Sequence, residues 1–139
     1  MNYAACTIKT NDPIIVLSEN KSRIEVNNAK RVDINKIQVD GCLIGPELEK
    51  CDWLITYEDP RKTALFIELK GCDLDKAISQ LRSTITHTKT FLAKHKKACF
   101  AVTTRVPKHG STIRQRCISF HKDTGATLSV KNSPQSISI

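Results

Sequence analysis

The sequence predicts a single α/β domain over residues 1–139, with a mixed β-sheet flanked by helices. Three observations predict this fold class. Short apolar runs rich in β-branched and aromatic residues crowd the segment before Gly71. After Gly71 the apolar period changes to three and four residues, which is typical of an amphipathic helix. Another short apolar run then follows, and the succession strand, helix, strand favours a crossover that makes the two strands parallel.

Residues 1–35 are expected to form a β-rich opening segment. The β-prone runs AACTIKT and PIIVLS alternate there with the polar turn material SENKS and VNNAK. This pattern indicates a hairpin-like or partly helical opening.

Three strands are expected next. INKIQVDGCLIG predicts a strand that turns or bulges at Asp40–Gly41. CDWLITYE and TALFIELKG predict two more strands, joined by the turn DPRK. Because Asp59-Pro60 is a typical turn pair, these two strands are expected to form an antiparallel hairpin.

The helix after Gly71 is expected to begin at the N-cap Asp73 and to run for about twenty residues to the cationic stretch KHKK. Its apolar stripe consists of Leu74, Ala77, Ile78, Leu81 and Ile85 and continues toward Phe91 and Leu92. ACFAVTT then predicts a buried strand. Residues 106–139 predict a short helix from Ser111 to near Gly125, a strand at ATLSVKN and a loose or edge-pairing tail.

Composition narrows the function classes. No apolar run reaches 18 residues, and the first residues lack the pattern of a secretory signal, so a cytoplasmic protein without a membrane partner is expected. The six cysteines are scattered without a C-x-x-C pair, which favours small buried residues. A zinc site with distant histidines and an incidental or regulatory disulfide are the alternatives.

The positive charge is concentrated in the second part of the chain. Residues 82–139 contain eleven Lys and Arg and one acid, whereas residues 1–81 contain eleven Lys and Arg and thirteen acids. A basic surface of this kind is typical of a protein with a polyphosphate partner. The candidate phosphate contacts are Lys89, Lys94, Lys96, Lys97, Arg105, Lys108, Arg114 and Arg116.

Three charged residues interrupt the predicted hairpin. With a period of two, Glu68 and Lys70 project from one face of their strand, about 7 Å apart. Asp52 opens the neighbouring strand, so an antiparallel pairing brings it close to both. Two carboxylates with open positions suit Mg²⁺, which keeps waters and also binds substrate phosphates. A surface salt bridge between Glu68 and Lys70, with Asp52 as a turn residue, is the alternative interpretation.

These residues resemble the PD-(D/E)xK phosphodiesterase superfamily, which includes restriction enzymes, repair nucleases and junction resolvases. Asp52 stands where the motif acid opens the second strand of that family's core, and IELKG matches E-x-K at Glu68 and Lys70. The resemblance covers residues 36–105, and it implies a restriction-endonuclease-like core. Cys51 replaces the proline that often precedes the first acid.

The resemblance implies a divalent-metal-dependent endonuclease that hydrolyses phosphodiester bonds in DNA. Asp52, Glu68 and the Leu69 carbonyl would bind Mg²⁺ or Mn²⁺, and Lys70 would assist the attacking water. In that superfamily the helix after the motif often carries a Gln or basic residue that supports the site, and Gln80 is its counterpart here. A further acid would come from Glu19, Glu25 or Asp40.

A core of this size holds one site, so cutting both strands would require a homodimer or a larger assembly. Two alternatives to an enzyme remain at this stage. One is a catalytically inactive nucleic-acid-binding module of the same fold. The other is a structural or protein-interaction domain in which the motif is coincidental.

Overall fold

The structure is a computed structural model that describes residues 1–105 and 110–139, with the side chains of 110 and 111 excepted. Lys108, one of the expected phosphate contacts, lies outside the described residues. The expected cap at Ser111 also depends on a side chain outside them. Among the described residues, no helix is long and apolar enough to cross a membrane.

The described chain forms nine strands and three helices. The strands are β1 (Thr7–Thr10), β2 (Ile14–Glu19), β3 (Ser22–Asn27), β4 (Ile34–Gln38), β5 (Trp53–Glu58), β6 (Lys62–Lys70), β7 (Lys96–Thr103), β8 (Thr127–Asn132) and β9 (Gln135–Ser138). The helices are α1 (Tyr3–Cys6), α2 (Leu74–His87) and α3 (Gly110–Thr124).

Two sheets make up the β-structure. The larger is a mixed six-stranded sheet in the order β1-β4-β5-β6-β7-β8, and the smaller has the order β2-β3-β9. Strands β4, β5 and β6 are antiparallel neighbours, whereas β7 lies parallel to β6 and β8 lies parallel to β7. The predicted hairpin at Asp59-Pro60 and the predicted crossover through α2 are therefore both confirmed.

The six-stranded sheet is buried on both faces. One face packs against the helices, through a cluster that includes Leu54, Phe66, Leu81 and Phe120. The other face packs against the small sheet, through a cluster that includes Leu17 and Ile67. Because side chains alternate along a strand, the even-numbered residues of β5 and β6 face the helices and the odd-numbered residues face the small sheet.

The small sheet joins the two ends of the chain. β2 and β3 form the antiparallel hairpin that the β-prone opening segment predicts, and the C-terminal β9 pairs with β3 in parallel. The tail is thus confirmed as an edge-pairing strand. Its partner lies more than a hundred residues earlier in the chain.

Helix α2 is shorter than the sequence predicts. Asp73 is confirmed as its N-cap, since its side chain accepts a hydrogen bond from the Lys76 N–H, but the helix ends at His87 instead of near KHKK. Threonine hydroxyls donate to carbonyls one turn back near this end, Thr88 to Thr84 among them. Such bonds and β-branching weaken a helix. Leu92 still reaches the core, but from a turn.

Four of the six cysteines differ from the expected role of small buried residues. Cys6 in α1 and Cys42 in the loop after β4 form a disulfide bond. Cys51 and Cys99 are buried and free, as expected, whereas Cys72 is exposed and Cys117 is half-buried. The disulfide ties the short N-terminal helix to the end of β4.

Candidate active site

The β5–β6 hairpin brings Asp52 close to Glu68. Trp53, the first residue of β5, pairs with Ile67. The N–H of Asp52, just before β5, donates to the carbonyl of the same Ile67 at 3.1 Å. Glu68 follows Ile67 on the side of β6 that faces the helices, and its pKa responds to the charge of Asp52. The proximity that the motif spacing predicts is therefore present.

A backbone contact holds the Asp52 side chain in place. Its Oδ2 accepts a hydrogen bond from the Leu69 N–H at 2.8 Å, in a buried position. In a β-strand the N–H and C=O of one residue point toward the same neighbour, so the Leu69 carbonyl also faces the Asp52 side of β6. The backbone of Leu69 thus offers a third oxygen close to the two carboxyl groups.

Both carboxyl groups are withdrawn from solvent. Asp52 is 9% exposed and Glu68 is 2% exposed. Burial raises the pKa of Asp52 to about 6, although the hydrogen bond from Leu69 opposes this. Burial, followed by the charge of Asp52, raises the pKa of Glu68 to about 8. The negative charge of Asp52 thus favours the protonated form of Glu68.

Lys70 ends β6 on the same face as Glu68. It is half-buried and stands opposite Thr103 of the parallel strand β7. Its ammonium group lowers the pKa of Glu68, but less than burial raises it. Within the part of the chain that the structure describes, Lys70 has no carboxylate within 4.0 Å. The simple Glu68–Lys70 salt bridge of the alternative interpretation is therefore absent from the described contacts.

Several buried polar atoms at this end of the sheet have no hydrogen-bond partner among the described residues. They are Glu68 Oε1, Gln80 Oε1 and Thr103 Oγ1. Thr103 lies on the helix-facing side of β7, since Ala101 and Cys99, two and four residues earlier, belong to the helix-side cluster. Buried oxygens without partners are costly in a protein, so these three are candidates for bonding to a water, an ion or a ligand. The sequence analysis overlooked Thr103, whose only signal is the polar end of ACFAVTT.

Gln80 lies on the face of α2 that meets the start of β5. It is four residues before Thr84 and therefore on the same helix face. Thr84 Oγ1 accepts a hydrogen bond from the buried Cys51 N–H at 2.8 Å and donates to the Gln80 carbonyl at 2.9 Å. Cys51 directly precedes Asp52. Burial raises the pKa of the Cys51 thiol to about 12, so it stays neutral there.

Two of the three candidates for a further acid lie near the site. Asp40 raises the pKa of both Asp52 and Glu68, and Glu19 raises the pKa of Asp52. The Asp40 N–H also donates to the Asp52 carbonyl at 3.3 Å. Glu19 is the last residue of β2. The Ser22 hydroxyl, just after the turn between β2 and β3, donates to the Val102 carbonyl at 3.0 Å and so holds that turn at this end of the sheet.

Glu25, the third candidate, is placed elsewhere. Its carboxylate is partly exposed and forms an ion pair with Arg23 at 2.7 Å. Glu25 is not among the groups that raise or lower the pKa of Asp52 or Glu68. Glu25 is therefore a suitable control residue rather than a site residue.

The oxygen atoms present fit a hard divalent cation. Two carboxyl groups and one carbonyl meet the preference of Mg²⁺ or Mn²⁺ for oxygen, and a small number of protein ligands leaves positions for waters and phosphate. Across residues 1–105 and 110–139, no group of three or more His, Cys, Asp or Glu is arranged to hold a metal ion. The fit of a divalent cation therefore depends on Asp52, Glu68 and the Leu69 backbone.

Four of the expected phosphate contacts lie at the opposite end of the sheet. Lys96 begins β7 opposite Thr63, whereas Lys70 lies opposite Thr103, seven residues farther along. That separation is about 23 Å. The structure therefore does not bring Lys89, Lys94, Lys96 and Lys97 to the carboxyl pair. Lys97 also donates to the carbonyls of Leu92 and His95, at 2.9 and 3.2 Å.

The remaining described cations lie nearer the carboxyl pair. Arg105 is exposed and follows β7, where Thr104 bonds to the Gly71 carbonyl beyond the end of β6. Arg116 on α3 pairs with Asp75 in the first turn of α2 at 2.7 Å. Arg114 is exposed on the same helix. Arg105 and Arg114 are therefore the expected phosphate contacts that remain available at this end.

Comparisons of the chain with protein-family models, with curated proteins and with solved structures found no match.

Proposed function

We propose that the protein is a divalent-metal-dependent nuclease that hydrolyses phosphodiester bonds in DNA. The observation that carries the proposal is the buried pair Asp52 and Glu68, with Asp52 held by the Leu69 N–H and Lys70 two residues after Glu68 on the same strand. A buried carboxyl pair without a cation is destabilised by desolvation and mutual repulsion. A structural role would be served equally well by apolar residues.

The arrangement of elements supports a restriction-endonuclease-like core. Three antiparallel strands, a helix and a parallel strand follow one another as β4, β5, β6, α2 and β7. This order agrees with the core that the PD-(D/E)xK resemblance implies. Before β4 the chain forms the β2–β3 hairpin rather than a long helix, so a further acid would come from Glu19 or Asp40.

Each residue of the site has a chemical part in the proposed reaction. Asp52, Glu68 and the Leu69 carbonyl would hold a Mg²⁺ or Mn²⁺ ion, which would supply a water of lowered pKa and positive charge to offset that of the phosphodiester. Lys70 orients the attacking water or donates to a phosphate oxygen as negative charge develops there. Gln80 and Thr103 supply polar atoms that orient water or substrate at the same end.

The proposed partner is DNA, held by Arg105 and Arg114 through its phosphates. Each chain contributes one such site, so a double-strand cut requires a homodimer or larger assembly. Phosphate contacts of this kind position DNA but carry little sequence information.

The test is a cleavage assay with supercoiled, linear, single-stranded and branched DNA, and with RNA, in Mg²⁺, Mn²⁺ or EDTA. We expect metal-dependent nicking of DNA by the wild-type chain. Glu68→Gln and Lys70→Ala are expected to reduce the rate at least about a hundredfold, because each removes a group that acts on the reacting centre. Glu25→Gln, an acid outside the site, is the matched control and should cut at the wild-type rate.

Two outcomes would contradict the proposal. Equal nicking by wild type and Glu68→Gln would trace the activity to a contaminant. Salt-sensitive DNA binding without cleavage in either metal would identify a binding module of the same fold instead of an enzyme.

A further inference from the structure

A second polar cleft lies at the end of the sheet farthest from the carboxyl pair. It has a volume of about 570 Å³, and its lining includes Asn35, Thr56, Glu58, Lys62, Phe91 and His95. An adjoining cavity of about 400 Å³ shares Asn35, Thr56 and Phe91 and extends to Tyr3 and Lys9. We call these two together the far-end cleft. Lys62 begins β6 and Glu68 lies six residues farther along it, so about 20 Å of strand separates Lys62 from the carboxyl pair.

Two buried polar atoms border the far-end cleft without a hydrogen-bond partner among the described residues. They are His95 Nδ1 and the Tyr3 hydroxyl. Burial, together with the charges of Lys62 and Lys97, lowers the pKa of His95, so its imidazole is neutral at physiological pH. A neutral imidazole can offer either a donor or an acceptor to a ligand. The backbone of His95 is held by its N–H, which donates to the Leu92 carbonyl at 3.0 Å.

An aromatic ring stands at the boundary of the two cavities. Phe91 is 49% exposed, although the apolar period of the sequence places it on the buried stripe of α2. Its ring stacks on that of Tyr3 with a centroid distance of 3.7 Å and an interplanar angle of 15°. Tyr3 is itself held by the Cys6–Cys42 disulfide three residues away. A half-exposed ring on a fixed support is a suitable surface for stacking a planar ligand.

The charges of the far-end cleft are mixed. Lys62 and Lys9 line it, as do Asp33 and Glu58. Ammonium groups suit a phosphate, whereas carboxylates suit sugar hydroxyls or the amino group of a base. Outside the cleft, Lys89, Lys94 and Lys96 are exposed on the connection that carries Phe91 and at the start of β7.

We propose that the far-end cleft binds a nucleotide unit, with its base stacked on Phe91 and its phosphate at Lys62. Asn35 and His95 bond to polar atoms of the base. The lysines that the sequence analysis assigned to nucleic acid then serve this second site and not the carboxyl pair. A free mononucleotide and a nucleotide within a strand both present a base and a phosphate to these residues. The proposal does not depend on cleavage, because binding here requires neither Asp52 nor Glu68.

The test is a titration of the ¹⁵N-labelled full chain, followed by NMR in EDTA so that no strand is cut. The probes are AMP, CMP, a six-nucleotide single-stranded DNA and inorganic phosphate. We expect the amide shifts of Asn35, Thr56 and His95 to move with a nucleotide probe. A stronger response to the oligonucleotide identifies a strand as the ligand, and a stronger response to AMP or CMP identifies a free nucleotide.

Matched substitutions separate stacking from simple burial. Phe91→Leu keeps an apolar side chain on Tyr3 but removes the ring, and should weaken nucleotide binding about tenfold. Phe91→Tyr keeps the ring and should bind like wild type. Lys62→Ala should weaken binding of nucleotides with a phosphate but not of the nucleoside. Glu68→Gln should leave the affinity unchanged, which separates this site from the proposed active site.

Three results would overturn the proposal. One is the absence of shifts at the cleft with millimolar nucleotide and excess oligonucleotide. Another is equal affinity in Phe91→Leu and wild type. The third is that phosphate alone causes the full response, since the cleft would then bind an anion and not a nucleotide.

Discussion

The carboxyl groups of Asp52 and Glu68 hold protons more tightly than the same groups do in water. Their pKa values rise from 3.8 to about 6 and from 4.5 to about 8. The sequence motif predicts which acids meet, but burial decides how strongly they keep a proton. This single property leads to two predictions.

The first prediction concerns stability and pH in the absence of metal. Because the pKa of Glu68 is higher in the folded chain, its proton stabilises the fold fully below about pH 4.5, and this stabilisation is lost as the pH rises through about 8. Glu68→Gln has no such proton to lose. At pH 9 in EDTA we therefore expect its free energy of unfolding to exceed that of wild type by about 1–3 kcal/mol.

The measurement is urea denaturation at pH 5, 7 and 9. The difference between Glu68→Gln and wild type should shrink toward pH 5, where Glu68 is protonated in the folded chain. Glu25→Gln, exposed and paired with Arg23, should follow the wild-type pH profile. Parallel profiles for Glu68→Gln and wild type would contradict a raised pKa for Glu68.

The second prediction concerns metal binding. In the proposed function a divalent cation would displace the Glu68 proton, so Mg²⁺ or Mn²⁺ should raise the Tm of the wild-type chain by several degrees at pH 8.5 and by less at pH 5.5. Asp52→Asn and Glu68→Gln should lose most of this rise. Differential scanning fluorimetry measures it, with Glu25→Gln as control. An equal rise in Asp52→Asn would place the ion elsewhere.

At the scale of elements, the Thr84 side chain joins α2 to the start of β5 by a hydrogen bond. The Thr84 hydroxyl accepts the buried Cys51 N–H directly before Asp52. The apolar period predicts the helix, but it gives no sign that a threonine on the helix face bonds to a strand. Helix and strand are therefore positioned relative to each other by a contact across 33 residues of chain.

The third prediction tests that contact. Thr84→Val preserves shape but leaves the Cys51 N–H without its acceptor, so it should lower the free energy of unfolding by about 1–2 kcal/mol. Thr86→Val is the matched control, because Thr86 is exposed on the same helix, and it should change the value by less than about 0.5 kcal/mol. Urea denaturation measures both. Equal values for the two variants would refute the role of Thr84.

The α2 C-terminus shows why element boundaries are harder to predict than elements. The apolar period continues to Leu92, and Leu92 is indeed buried. The helix nevertheless ends at His87, and the turn that follows delivers the side chain to the core. The periodicity of apolar residues shows which side chains are buried. It is a weaker guide to whether the backbone between them forms a helix or a turn.

At the scale of the whole molecule, the chain ends are tied into the fold by the β2-β3-β9 sheet and by the Cys6–Cys42 bond. The disulfide closes a loop with a sequence separation of 36. Removing the disulfide raises the conformational entropy of the unfolded chain. In the chain-entropy account, this is the main way in which a disulfide affects stability.

The fourth prediction follows from that loop. The double variant Cys6→Ala, Cys42→Ala should lose about 3–4 kcal/mol in its free energy of unfolding relative to the oxidised wild type. Urea denaturation with and without reductant measures the loss. Reductant should lower the stability of wild type and leave the double variant unchanged. A wild-type chain that ignores reductant would show that the bond does not form in solution.

The sequence by itself determined the α/β class, the β5–β6 hairpin, the crossover through α2 and the set Asp52, Glu68 and Lys70. These are local or nearly local features, and they follow from periodicity, turn residues and spacing. The tertiary structure alone decided the position of Thr103 and Asp40 beside that set and the separation of Lys89, Lys94 and Lys96 from it. Parallel pairing places the start of β7 and the end of β6 at opposite ends of the sheet, and only the assembled sheet determines which charges lie together.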